Sequence, residues 1–408
     1  MKKWLLISCA FLAFITYGLI ISQWNLRIVP AELAPSNPEG FYDYRGVTNI
    51  HSNLSTGSGE VADVIRVAQD SGLDFVFFSD LNTSNKPQFL EGYHGNLLVF
   101  IDGEYSYLNS RVLNYDSSDP IDLGSPGRSQ LFLADQLTQA TRESSLGIFV
   151  LAHPFKPNFR WDGEIPIGFD GIEIINLKSI WQRSWIETRA SFLWTLFLYP
   201  FNNRLALIRL FQIPDAELEL WDKLNQRKKV IGFAGTDAEA RVRISPERII
   251  EFPSYLTLFS LVRNHVLLPS ELTGNADDDR QKLAGAIRRG QFYMSLDSLA
   301  DPRGFIAKIE NEKGTSALMG STLKWAPGLK LTTILPQKPN VPFDVIYYRN
   351  GEKVLVSNSR ETSLEIPSPG VYRVMVRVIP TLPLPDGKKW IPWIFTNPFY
   401  VTEAEAPE

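Results

Sequence analysis

The chain has 408 residues, of which 44% are hydrophobic and 21% charged, and carries a formal net charge of -4. That length has room for more than one domain, and that balance belongs to a globular chain, not a disordered one. With no global basic field, nucleic acid is not an expected partner; the single cysteine, Cys9, excludes an intrachain disulfide and a cysteine-based zinc site.

Met1-Lys2-Lys3 precedes Trp4–Ser22, nineteen residues without a charge, close to the roughly twenty a helix needs to cross a bilayer. A cleaved signal peptide and an uncleaved anchor both begin this way. The length of the apolar run and the lack of a clean small-x-small site favour the anchor. Leu6-Ile7-Ser8-Cys9 looks like a lipoprotein cleavage box, but too few apolar residues precede the cysteine. Lys2 and Lys3 before the span place the rest outside the cytoplasm. Residues 1–28 therefore read as a single-pass anchor in the cell membrane, in contact with lipid, with the bulk of the chain extracytoplasmic. Residues 29–40, rich in proline and small residues, read as a linker.

From residue 41 the pattern alternates between helical periodicity and short apolar runs. Val61, Val64, Ile65 and Ala68 keep the spacing of one helix face, closed by Gly72. Leu73–Phe78, Leu97–Ile101, Gly147–Leu151, Gly171–Ile175 and Lys229–Phe233 read as strands, and strands separated by helical segments imply parallel βα units. Each strand runs into polar residues: His51 after Val47-Thr48, Asp80 after Phe78, Glu104 after Ile101, His153 after Leu151, Asn176 after Ile175, and Asp237-Ala238-Glu239 after Ala234. The carboxyl ends of parallel strands form the active-site face, so these residues are expected to meet in one crevice.

His94 reads as a surface loop residue, and His265 as part of a helix-like segment, Val262–Val266, with a structural role. Phe192–Phe201 is an apolar aromatic run too short to span a bilayer. It reads either as a buried helix or as an insertion dipping into the membrane, with Trp185, Trp194 and Tyr199 at the interface and Arg204 and Arg209 on headgroups. Asp277-Asp278-Asp279 opens a helix and complements its dipole. Beyond about Gly304, alternating strands with an Asn350-Gly351 hairpin signal predict an immunoglobulin-like sandwich over 304–408, a surface for a protein partner, with its own core.

The order of motifs over roughly residues 41–310 resembles the PHP (polymerase and histidinol phosphatase) superfamily of metal-dependent phosphoesterases. The stretches that carry the resemblance are Asn49-Ile50-His51-Ser52, Ser79-Asp80-Leu81-Asn82, Gly103-Glu104, Ala152-His153-Pro154 and Thr236-Asp237-Ala238-Glu239. The resemblance implies an α/β fold: a distorted PHP-like (β/α)7 barrel over residues 41–303, between the transmembrane helix and the β-sandwich. It also implies metal ligands at His51, Glu104, His153 and Asp237, with Asn49, Asp80 and Glu239 as further candidates and Asp80 behind the ligands. Family histidines are replaced by Asn49 (or by Asn53, if His51 is the first of its motif), Leu81 and Glu239, and an early loop histidine by Thr56; near Ser110 and Arg111 another is missing.

Multi-metal phosphoester hydrolysis needs those imidazoles. The expected cofactor is one divalent metal (Mn, Mg or Zn) or none, the harder ions being favoured by the surviving donors. The expected function is a membrane-anchored binding or scaffold protein with weak or no hydrolysis and a small phosphorylated ligand. The alternative is a metal-dependent phosphoesterase using one or two metals.

Overall fold

In a computed structural model, which describes residues 2–403 apart from 31–39, 119–120, 122–123, 142, 246–247, 312–313 and 315, the apolar N-terminal run forms helix α1 (Lys2–Ser22). It is the one helix among the described residues long and apolar enough to cross a membrane. Its last turns rest on the folded body, with Gly18 and Ile21 buried and Phe14 edge-on to Phe197 and Phe201 at 5.7 and 5.5 Å. Beyond α1 the backbone is tied down. Trp24 donates Nε1 to the Thr381 carbonyl at 3.0 Å, Asn202 donates Nδ2 to the carbonyls of Ile21 and Trp24 at 3.1 Å, and Asn340 donates its amide to Ile28 at 2.8 Å. Most of the expected linker, residues 31–39, lies outside the described residues.

The fold that follows is mixed α/β with a large sheet. Its first half contains β1 (Tyr42–Ile50), α2 (Val61–Asp70), β2 (Phe75–Phe78), β3 (Gly92–His94), β4 (Leu97–Ile101), β5 (Gly103–Tyr107), β6 (Ser110–Tyr115) and α3 (Pro126–Thr138). Then come β7 (Ile148–Leu151), β8 (Gly171–Asn176), α4 (Leu177–Glu187), α5 (Arg189–Leu198), α6 (Asn203–Ile208), α7 (Asp215–Asn225) and β9 (Ile231–Ala238). The buried face of α2 is Val61, Val64, Ile65 and Ala68, as its periodicity predicts. Strands β8, β9, β1, β2 and β4 run parallel in that order. The antiparallel turn through β5, β6 and β7, with β7 parallel to β8, returns the pairing to its start. A bridge between Leu81 and Glu104 joins the end of β2 to β5.

A small hairpin, β10 (Val242–Ser245) and β11 (Arg248–Ile250), and helix α8 (Tyr255–Phe259) lead to β12 (Arg263–Leu268), α9 (Ala276–Arg289) and β13 (Phe292–Ser295). The helix expected around His265 is thus a strand: β12 pairs antiparallel with β1 and places His265 opposite Arg45. His94 is half-buried at the end of β3, its Nε2 2.9 Å from the Leu90 carbonyl, not in a loop. Helix α9 opens on the Asn275 cap and three aspartates and closes on Gly290 at φ 75°, as its charges predict.

The C-terminal part is all strand: β14 (Ile306–Glu310), β15 (Ser316–Leu318), β16 (Thr322–Lys324), β17 (Lys330–Ile334), β18 (Phe343–Arg349), β19 (Glu352–Ser357), β20 (Glu361–Glu365), β21 (Gly370–Val378), β22 (Ile391–Thr396) and β23 (Phe399–Thr402). Strands β15, β14, β17 and β20 form one antiparallel sheet. Strands β19, β18, β21 and β22 continue from one another, and β22 pairs with β13. One continuous set of buried apolar side chains, from Val47 to Trp393 and Phe399, serves both halves. The separate C-terminal core expected from the sequence is therefore replaced by a shared one, because a sheet crosses residue 303.

Candidate functional site

At Asn49 the pairing of β1 with both neighbours slips, and the residue turns to φ 61°. Bulges of this kind re-aim side chains beside functional sites. His153 (φ 29°) and Asp237 (φ 44°) also occupy the left-handed region. Such conformations cost about 1–3 kcal/mol each and persist where surrounding structure over-determines them. All three lie at the strand ends the sequence singled out.

The bulge turns Asn49 inward. Its Nδ2 donates to Glu173 Oε1 at 2.8 Å, and its Oδ1 accepts from Ser79 Oγ at 3.1 Å. Glu173, from the middle of β8, also accepts the His153 amide at 2.8 Å and Asn176 Nδ2 at 2.9 Å. Burial pushes its carboxyl up to about 7, helped by Asp237 and opposed by those three donors. Asn49 is thus committed to positioning Glu173, a residue the sequence reading did not assign to the site. Asp80 is committed in the same way. It accepts Ser52 N (2.8 Å), Ser52 Oγ (2.6 Å) and Ser55 Oγ (2.6 Å), closing the loop that follows His51.

The remaining expected residues converge. His51 Nε2 lies 3.7 Å from Glu104 Oε2 and 3.7 Å from Asp237 Oδ1, and His153 Nε2 lies 3.6 Å from Glu104 Oε1. These separations exceed a hydrogen bond. All four side chains are buried. Burial acts to raise the Glu104 carboxyl, but the flanking His153 and His51 rings outweigh it and hold the group below its usual range. His51, Asp237 and Glu239 each offer a ligand atom within 4.8 Å of the others.

Two ammonium groups occupy the same ground. Lys156 Nζ lies 2.6 Å from Asp237 Oδ2, both side chains being buried. Lys178, from α4, pairs with Glu239. Burial of Asp237 is outweighed by these lysines and the two histidines, and its carboxyl sits well below the usual range. Lys178 is shifted upward, since Asp237 and Glu239 outweigh its own burial. Neither lysine was singled out in the sequence; each carries a long stem whose direction is set only by the fold. Further out, the Arg111 guanidinium covers the Phe159 ring at 4.5 Å.

The donor set bears on the metal that the resemblance implies. A metal-ligating imidazole ordinarily donates its other N–H to an oxygen; Nδ1 of His51 and of His153 are both buried with no partner among the described residues. Two of the three clustered ligands already neutralise lysines. The residues present do not fit a multi-metal cluster. For a single cation they offer His51, Asp237 and Glu239, with a lysine already on one oxygen of each carboxylate.

No family model matches the sequence, and no curated protein does. Among solved structures, the chain is similar to a two-domain protein of Bacteroides vulgatus ATCC 8482 described as containing a predicted PHP-like metal-dependent phosphoesterase. Identity is 11% and the TM-score 0.40, over 89% of this chain and 98% of that one. A likeness that distant assigns neither activity nor substrate.

Proposed function

We propose that this is a membrane-tethered, PHP-like protein in which lysines take the place of the metal cluster, and that its crevice binds a small phosphorylated ligand with weak or no hydrolysis. In this reading the closed circuit of strands is a distorted PHP-like barrel, the C-terminal strands form an immunoglobulin-like sandwich, and α1 anchors the bulk of the chain outside the cytoplasm. The observation that carries it is the Lys156–Asp237 pair, buried at 2.6 Å beside His51. An ammonium ion balances a carboxylate and orients an anion as a point charge, but it does not generate a hydroxide nucleophile as a bound metal does.

The test is metal content and thermal stability of the purified chain with and without Lys156→Met. The unmodified protein should hold no more than one divalent ion per chain and show no melting shift with added Mn²⁺. Removing one partner of a buried pair costs about 3–5 kcal/mol. The variant should therefore be destabilised, and Mn²⁺ should restore part of the loss by pairing Asp237. Two or three metals in the unmodified chain, with phosphomonoester hydrolysis lost on His51→Ala, would overturn the reading. A second reading, a one-metal phosphoesterase, is favoured by the spacing of His51, Asp237 and Glu239. It requires stoichiometric metal without any lysine substitution.

A further inference from the structure

Helix α1 does not stand clear of the body along its whole length. Residues 4–13 are all exposed, and contact begins at Phe14. At 1.5 Å per residue that free stretch is about 15 Å long, half of the roughly 30 Å of hydrocarbon a spanning helix must cross. The rest of the crossing falls to residues 14–22, and these carry part of the body with them. Phe14 meets Phe197 and Phe201 edge-on, and the Tyr17 ring lies 5.7 Å from that of Trp194. Gly18 permits the closest approach: a Cβ there would stand 2.4 Å from the Phe201 ring. Asn202, the next residue, holds the carbonyls of Ile21 and Trp24. On another side, the Tyr17 hydroxyl bonds the Leu384 carbonyl. Seating α1 at full depth therefore draws α5 and the segment around Leu384 down with it.

The surface presented at that level is apolar. Leu193 and Phe197, one turn apart on α5, are 47% and 57% exposed, and Leu384 is 78% exposed. On α1 itself, Leu19 and Ile20 are exposed as well. Residues 190–203 include no charged side chain, and Arg189 and Arg204 bracket them. The Arg189 guanidinium lies 5.3 Å from the centre of the exposed Trp185 ring. Arginine and tryptophan are side chains that settle at headgroup level, with an apolar body below and a polar end in water.

We propose that the outer face of α5, with Leu193, Phe197 and Leu384, lies in the hydrocarbon of the leaflet away from Lys2 and Lys3. Its partner is lipid acyl chain, and the body is part-embedded beside its anchor. The proposal rests on the reading of α1 as a retained anchor.

The experiment uses the full chain with Cys9→Ser, reconstituted in phosphatidylcholine vesicles and labelled at single cysteines with an environment-sensitive fluorophore. Leu193→Cys, Phe197→Cys and Leu384→Cys report the face. Leu12→Cys reports the anchor, and Glu352→Cys, exposed at the β18–β19 turn, is the aqueous reference. Nitroxide-bearing phosphatidylcholine quenches labels in hydrocarbon, and iodide quenches labels in water. The three face labels should be quenched several-fold more by lipid nitroxide than the Glu352→Cys label, and several-fold less by iodide. Lipid quenching at Leu12→Cys but at none of the three would overturn the embedded face and leave the anchor standing. Lipid quenching at none of the four would overturn both. Face labels shielded from both quenchers would overturn lipid as the partner in favour of a second copy of the chain.

Discussion

Gly235 leaves room for Glu173: a Cβ there would stand 1.6 Å from Glu173 Oε1. Gly235→Ala should push that carboxyl off Asn49 and the His153 amide. The expected loss is about 1–3 kcal/mol, the usual cost of overpacking a core, read from the denaturant midpoint; parental stability would show that the carboxyl has another place to go. His265 is a second point of high stakes. Its Nδ1 lies 2.8 Å from Asp43 and its Nε2 3.0 Å from Asp297, with the Tyr293 ring stacked on it and Arg263 on the far side of Asp297. Burial works against its charge, but Asp43 and Asp297 outweigh burial and raise its pKa to about 10. Because the folded value lies above the ordinary one of 6.5, the stabilisation is whole below about pH 6.5 and disappears as pH climbs through about 10. The melting temperature should fall across that window. His265→Gln should flatten the fall and cost about 3–5 kcal/mol at neutral pH, by leaving buried carboxylates unpaired. An equally steep fall in the variant would place the titration elsewhere.

Between β9, β13 and β22, the loop residue Asn397 acts as a peg. Its side chain bonds the Gly232 amide at 2.7 Å, the Gly232 carbonyl at 3.3 Å and the Phe292 carbonyl at 3.1 Å. Asn397→Ala should cost about 1–3 kcal/mol, the penalty for buried backbone groups left unpaired, with no change in metal content. A shift in metal content would tie the peg to the crevice. Asn397-Pro398 also separates β22 from β23. Elements with strong period or turn chemistry were legible: the α2 face, the Asn350-Gly351 hairpin between β18 and β19, and the charged ends of α9. The hairpin from β5 to β6 was not, since Leu108 takes φ 49° at its turn without turn chemistry to announce it. Strand β12 was misread because six consecutive buried residues carry no alternation. In the crevice, residues that directly follow strands were readable from order alone. Lys156, Lys178 and Glu173 were not, because their meaning depends on which strand lies across from them. The aromatic run starts in α5 and continues past it; within the helix Leu193 and Phe197 are exposed while Phe192 and Leu198 are buried. Arg209, which the membrane-insertion reading put on headgroups, is buried and paired with Asp386.

Across the molecule, the sheet that passes from β13 to β22 makes the two halves interdependent. A chain ending at residue 303 would strip the partner from Tyr293, Met294 and Ser295 and expose an unpaired apolar edge. Such a fragment should aggregate and show no cooperative melt; a monomer on size exclusion with a sharp transition would restore independent cores. The bonds that clamp Ile21, Trp24 and Ile28 to the body have a mechanical consequence. A tether normally works as a leash, letting its cargo tumble over a hemisphere. Here the root is stiff, so wherever α1 is seated in a bilayer the body stands as an outrigger at one tilt, and its crevice sweeps a single plane at a constant height above the lipid.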